Sequence, residues 1–182
     1  MKRAYILLAS GYEEVEALMP ADVMRRAGYE VYLVSATGEP IVKGAHNIEV
    51  KTDAFLNDVS VENGDLIMLP GGIPGATNLL ANEKVKNLVS RFYENRRWVA
   101  AICAAPMVLG EMRLLQGKKA TCYPGYEKHL HGAFIVNSPA VTDGKIITGK
   151  GVGAAMAFSL EIVKNLSGEA EMLELKKKMV VE

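Results

Sequence analysis

The sequence predicts an α/β fold built on a mainly parallel sheet. Short apolar runs at Ala4–Ala9, Tyr29–Ala36, Asp65–Leu69 and Trp98–Ile102 have the length and make-up of strands buried in such a sheet. Between them lie segments whose apolar residues recur at helical spacing, as in Leu79, Leu80, Val85, Leu88, Val89 and Phe92. Strands alternating with helices place ligands beyond the carboxyl ends of the strands. The loops after Ala9, Leu69, Ile102 and Thr148 all fall there.

Taken in order, Ala4–Ala9 is the first strand and Ser10-Gly11 turns the chain. A helix is expected from about Tyr12 to Ala27, stopped by Gly28 and kinked at Pro20. Tyr29–Ala36 is the second strand, and Ile41–Val50 reads as a small hairpin with Gly44–Asn47 at its tip. Thr52–Asn63 is a polar connection with one short helix. Asp65–Leu69 is the third core strand, followed by one helix over Ala76–Arg96. Trp98–Ile102 turns at once into the helix Met107–Met112. Short strands are expected at Lys118–Tyr123, Phe134–Val136 and Ile146–Thr148, the last after an Asp143-Gly144 turn. Helices over Ala154–Leu166 and Glu169–Met179 close the chain, the second with Lys176, Lys177 and Lys178 at its carboxyl end.

The 182 residues suit one domain spanning 1–182. Lys+Arg and Asp+Glu are both 21, so nothing in the charge calls for nucleic acid or an anionic membrane. No apolar run reaches the roughly 18 residues of a membrane span. Two cysteines make no disulfide framework, and a reducing cytoplasm is expected.

Cys103 stands on the strand-to-helix corner. Such an elbow lifts a nucleophile to the edge of the sheet, and a helix N-terminus favours the thiolate. A small buried core thiol fits the same stretch. Glu13, Glu14 and Glu16 crowd the first turn of the first helix, where the dipole favours acids. Glu16 lies between apolar Val15 and Ala17 and can face the sheet edge instead. Gly71 and Gly72 allow backbone N–H groups to approach a ligand closely, although an ordinary loop is marked the same way. Gly149-x-Gly151-x-Gly153 lacks the full dinucleotide spacing and is read as close packing of helix on sheet. His129-x-His131 has no Cys or carboxylate at ligand spacing, so it is read as a solvated loop and no metal or other cofactor is expected. Cys122 is read as core.

Together, Glu13-Glu14-x-Glu16, Leu69-Pro70-Gly71-Gly72, Ala101–Pro106 and Thr148-Gly149-Lys150-Gly151 resemble, in order and spacing, the DJ-1/ThiJ/PfpI superfamily, and most closely its DJ-1 branch. The resemblance implies a flavodoxin-like sandwich with helices on both faces, and a homodimer. It also implies a reactive cysteine at Cys103, a protonated acid at Glu16 bonded to the thiolate, and oxyanion-binding amides at Gly72 and Ala104. Three positions depart from the pattern. Ala104 stands where the PfpI branch has a His, Tyr123 where the DJ-1 branch often has a His before Pro, and Lys150 where the family has an Arg. The first removes a Cys-His dyad. At the second, a phenol of pKa about 10 can donate a hydrogen bond to substrate but is no base at neutral pH.

The function implied is a cysteine-dependent, glutathione-independent glyoxalase or deglycase acting on small carbonyls, with methylglyoxal converted to lactate. The alternative is a redox sensor or stress-response chaperone that uses oxidation of Cys103.

Overall fold

The computed structural model describes residues 1–182. Strands β1 (Arg3–Leu8), β2 (Glu30–Ser35), β5 (Ala54–Phe55), β6 (Leu66–Leu69), β7 (Trp98–Ile102), β10 (Ala140–Asp143) and β11 (Ile146–Gly149) form the central sheet. Their order is β10-β11-β7-β6-β1-β2-β5, and only β10 runs antiparallel. Two small sheets stand apart, the hairpin β3 (Ile41–Lys43) with β4 (Glu49–Lys51), and the parallel pair β8 (Lys119–Ala120) with β9 (Phe134–Ile135).

Alternate residues of each strand go to opposite faces, as the pleat requires. Ala4, Ile6 and Leu8 of β1, with Met68, Ala100 and Ile102, pack against α1 (Glu14–Arg26) and α5 (Ala155–Ser167). Tyr5 and Leu7, with Ile67, Leu69, Val99 and Ala101, pack against α2 (Gly75–Ala81), α3 (Glu83–Glu94) and α4 (Pro106–Glu111). The last helix, α6 (Glu169–Lys178), adds Leu175 to a small cluster with Val23, Leu160 and Val163. The expected sandwich, with helices on both faces of a mainly parallel sheet, is what the chain forms.

Several elements differ from expectation. The single helix over 76–96 is two helices, because Asn82 caps both. Its Oδ1 accepts from the Lys84 and Val85 amides and its Nδ2 donates to Ala36 O at 3.2 Å, offering the backbone a local alternative to the helix. Helix α1 begins two residues later than expected, at Glu14, with Glu13 as its N-cap, and has the buried Pro20 in its interior. The strand expected over 118–123 is paired only at Lys119–Ala120. Strands β5 and β10 carry weak apolar patterns and were not foreseen.

Candidate active site

Three loops meet at the carboxyl edge of the sheet. They follow β1, β6 and β7, three adjacent strands, so neighbouring strand ends bring residues far apart in sequence together. The loop after β6 is fastened to the loop after β1: the Glu13 N–H donates to Gly71 O at 2.9 Å, and the Gly75 N–H to Gly11 O at 3.1 Å. Gly72, at φ +85°, has no room for a side chain, since a Cβ there would strike the backbone of Gly11, Tyr12 and Glu13.

Cys103 sits on the corner between β7 and α4 with φ +66°. A non-glycine residue held in the left-handed region costs of order 1–3 kcal/mol and persists only where its surroundings fix it. Here they do. The Cys103 N–H donates to Gly149 O at 2.9 Å, and its carbonyl accepts from the Tyr123 N–H at 2.8 Å. The side chain is half-buried.

Glu16 is fully buried on the first turn of α1. Its Oε2 accepts from the Gly71 N–H at 3.0 Å, while Oε1 has no hydrogen-bond partner. Gly71 separates acid from thiol: a Cβ on it would lie 2.5 Å from Glu16 Oε2 and 2.6 Å from Cys103 Cβ. Glu16 and Cys103 are therefore neighbours across one glycine, close enough for each to shift the other's pKa.

Burial pushes the Glu16 carboxyl up to about 7 from its ordinary 4.5, and the nearby Glu13 charge adds to the rise; the hydrogen bonds to Cys103 and Gly71 oppose it. Burial also pushes the Cys103 thiol up to about 12, followed by the Glu16 charge and the hydrogen bond to Glu16, against the downward pull of the Gly72 and Ala104 amides. The downward pull of the amides is the one expected of an elbow at a helix start, and burial and the Glu16 charge work against it. The two titrate as a coupled pair: the first proton is lost near neutral pH, and the second is held far more tightly because ionising both at this spacing is unfavourable. Such a pair can deliver a thiolate as the carboxylate takes the thiol proton, with the Gly72 and Ala104 amides placed to hold negative charge.

Tyr123 follows Cys122 out to the rim and is half exposed. Cys122 is buried as expected, and burial raises its thiol to about 11. The largest cavity, about 610 Å³, lies elsewhere, at the β2–β5 edge beside Thr37, Asn82 and Lys84. A groove of about 430 Å³ runs from Tyr123 and Pro124 to Asn137, Lys150 and Val152, beside the backbone that anchors Cys103. Within the Gly149–Gly153 stretch, only Gly149 is needed for close packing, because a Cβ there would strike Ile102 and Phe158; Gly153 has open space.

One histidine reading changes, and one histidine gains a role. His129 and His131 are not simply solvated, for they bracket Glu111, at 2.9 Å to Oε1 and 3.2 Å to Oε2. His46 and Glu14 form a pair that no local spacing announces, 32 residues apart. Glu14, Glu13 and His46 could together hold a metal ion, although hydrogen bonds between Glu14 and the hairpin account for the arrangement.

With this geometry in view, the chain can be set beside known proteins. The DJ-1/PfpI family model matches residues 2–165. The chain belongs to this family. It is 38% identical over 182 residues to protein DJ-1 homolog B of Arabidopsis thaliana, covering 99% of this chain and 42% of that longer protein. The chain thus spans less than half of that relative. Protein dj-1beta of Drosophila melanogaster is 34% identical over 99% of this chain and 97% of its own length. A Pyrococcus abyssi deglycase is 30% identical over 90% of this chain and 99% of its own. The solved structure of oxidized Toxoplasma gondii DJ-1 superposes with a TM-score of 0.95 at 28% identity, over 100% of this chain and 99% of that one. The DJ-1/PfpI fold is therefore that of this chain, helices on both sheet faces included.

Proposed function

We propose that this DJ-1/PfpI protein is a cysteine-dependent enzyme for small reactive carbonyls, a glutathione-independent glyoxalase or deglycase. The observation that carries the reading is a fully buried Glu16 set against Cys103 across Gly71, with the Gly72 and Ala104 amides at the thiol. As the Cys103 sulfur bonds to the aldehyde carbon of methylglyoxal, the thiol proton passes to Glu16. The amides stabilise the negative oxygen of the developing hemithioacetal. Glu16 returns that proton to the oxygen, which completes the hemithioacetal. As a carboxylate again, it takes the proton from the sulfur-bearing carbon and delivers it to the adjacent ketone carbon, while the hydroxyl proton passes to the former ketone oxygen, which leaves a lactoyl thioester. Water cleaves it, giving lactate and freeing the thiol. The Pyrococcus abyssi deglycase supports this class of chemistry at family level.

The test is lactate formation from methylglyoxal by the purified protein, with Cys103→Ser as the control. Turnover lost in the variant supports the reading, and turnover equal in both would overturn it.

The second reading, a sensor that is oxidised at Cys103, is favoured by the half-exposed sulfur beside amides that can hold sulfinate oxygens. Peroxide treatment followed by intact mass separates the two. A two-oxygen gain at Cys103 without carbonyl turnover selects the sensor.

The proposal extends to a homodimer in a reducing compartment such as the cytoplasm. An exposed apolar groove formed by Val15, Leu18, Met19, Ile48, Met156 and Met179 supports the dimer, and two unbridged thiols support the compartment. Sedimentation in reducing buffer at micromolar concentration should give a dimer. A pure monomer would contradict it. No helix is long and apolar enough to cross a membrane.

A further inference from the structure

Beside the elbow, the groove at Tyr123 has walls tied to both sides of Cys103. The Cys103 N–H is held by Gly149 O, next to Lys150, and the Cys103 carbonyl by the Tyr123 N–H. The groove holds about 430 Å³ and is lined by Pro124, Pro139, Val152 and Ala157 on its apolar side. Lys150 is its sole charged lining residue, and its ammonium bonds the Asn137 amide oxygen at 2.7 Å rather than a carboxylate. The ring of Tyr123 approaches Gly151, where an added Cβ would stand 3.2 Å away, and Tyr123 and Lys150 both line the groove.

We infer that the Tyr123–Asn137–Lys150 groove is a subsite for a carboxylate on the tail of the carbonyl substrate, so that the preferred substrates are 2-oxoaldehydes or aldehydes carrying one negative charge a few bonds from the reacting carbon. This rests on the carbonyl-enzyme reading and names its substrate class. An ammonium that already satisfies an amide oxygen has two N–H donors left for an incoming anion. A single cation without a second Lys or Arg suits a monoanionic carboxylate better than a phosphate dianion. The apolar residues of the groove can pack against methylene groups between charge and carbonyl.

The subsite can be read without turnover. Iodoacetate and iodoacetamide both alkylate Cys103. The sulfur displaces iodide from carbon and the thiol proton leaves to Glu16 or solvent, but only iodoacetate carries a carboxylate. The iodoacetate-to-iodoacetamide rate ratio at Cys103, followed by peptide mapping, should fall about tenfold in Lys150→Gln and be largely restored in Lys150→Arg. Lys84→Gln removes the same charge at the β2–β5 edge and should leave the ratio in place. A ratio unmoved in Lys150→Gln, or lowered equally by Lys84→Gln, overturns the subsite.

The second arm compares kcat/KM for 4,5-dioxopentanoate, hydrated to 2-hydroxyglutarate, with that for methylglyoxal. The ratio should exceed one and fall about tenfold in Lys150→Gln, through KM more than kcat. Absence of turnover for both compounds alongside a Lys150-dependent alkylation ratio would remove the glyoxalase reading and leave the anion subsite standing. Turnover of methylglyoxal with an alkylation ratio indifferent to Lys150 would do the reverse.

Discussion

Glu14 and Glu16 lie two residues apart on the first turn of one helix, and both are buried, at 3% and 0% exposure. Their protonation differs all the same. Burial would raise Glu14, but hydrogen bonds from the His46 ring and from backbone N–H groups, those of His46 and Ile48 among them, outweigh it and hold the carboxyl below its ordinary 4.5. Glu16 receives one backbone donor, from Gly71, and otherwise faces a thiol, so burial dominates and the carboxyl rises to about 7. Burial alone therefore does not decide charge; the number of donors facing the oxygens does. One glutamate serves as a fixed anion that ties the β3–β4 hairpin to α1. The other is a proton store at the sheet edge.

The comparison can be sharpened from either side. The largest effect is expected from Cys103→Ser, which removes the sulfur that the Glu16 proton serves. Turnover should fall by on the order of 10³-fold or more while the circular dichroism spectrum is kept. Glu16→Gln should cost roughly 10²–10⁴ in kcat, the range for a positioned acid–base group. It should also change stability in a pH-dependent way. A carboxyl with a higher pKa folded than unfolded binds its proton more tightly in the native state. The native state therefore loses stability as pH climbs from the ordinary 4.5 through about 7. Relative to Glu16→Gln, the wild-type protein should lose up to about 3 kcal/mol between pH 4 and pH 8, measured by urea unfolding. A flat difference would mean that Glu16 titrates at the same ordinary value in the folded and unfolded chain.

Gly71→Ala places a methyl between acid and thiol and should destabilise by roughly 1–3 kcal/mol while disrupting their coupling. Glu14→Gln is expected to act on the hairpin instead. The His46 and Ile48 amides should exchange with solvent faster, with the Glu16 titration unmoved. Because the Glu14 pKa is lowered in the fold, its contribution is present above the ordinary 4.5 and is lost as pH falls through the folded value, opposite in sign to Glu16. Tyr123→Phe should have the smallest effect, less than 10²-fold on kcat/KM, since a phenol at neutral pH orients substrate and does not exchange the proton. A Tyr123→Phe variant as inactive as Cys103→Ser would move the proton shuttle away from Glu16.

The same contrast shows what the sequence could reveal. Apolar runs and turn residues are enough to put the loops after β1, β6 and β7 at one edge of the sheet, and with them Glu16, Gly71 and Cys103 on one rim; that the three strands are neighbours comes from the sheet order. The pattern of alternating strands and helices is local, and the topology that follows from it is restrictive. The role of Glu14 was hidden, because its partners lie at the tip of a hairpin 32 residues on, and three neighbouring acids look alike in a sequence. Asn82 gave the clearest available signal of a helix break and was overridden by apolar periodicity on both sides. The balance of influences on the Cys103 thiol is only partly legible for a related reason. Elbow and helix start can be read from residue order, but burial and the charge of Glu16 depend on packing between three loops.

The most direct measurement is the protonation of Glu16 itself, followed by carbon-13 NMR of the glutamate side-chain carboxyls from pH 4 to 9, with Glu16→Gln assigning the resonance. The expected midpoint is about 7, rising further in Cys103→Ala, where the hydrogen bond that lowers it is gone. A midpoint near 4.5 in the wild-type protein, unchanged by removal of the sulfur, would contradict a proton shared between Glu16 and Cys103.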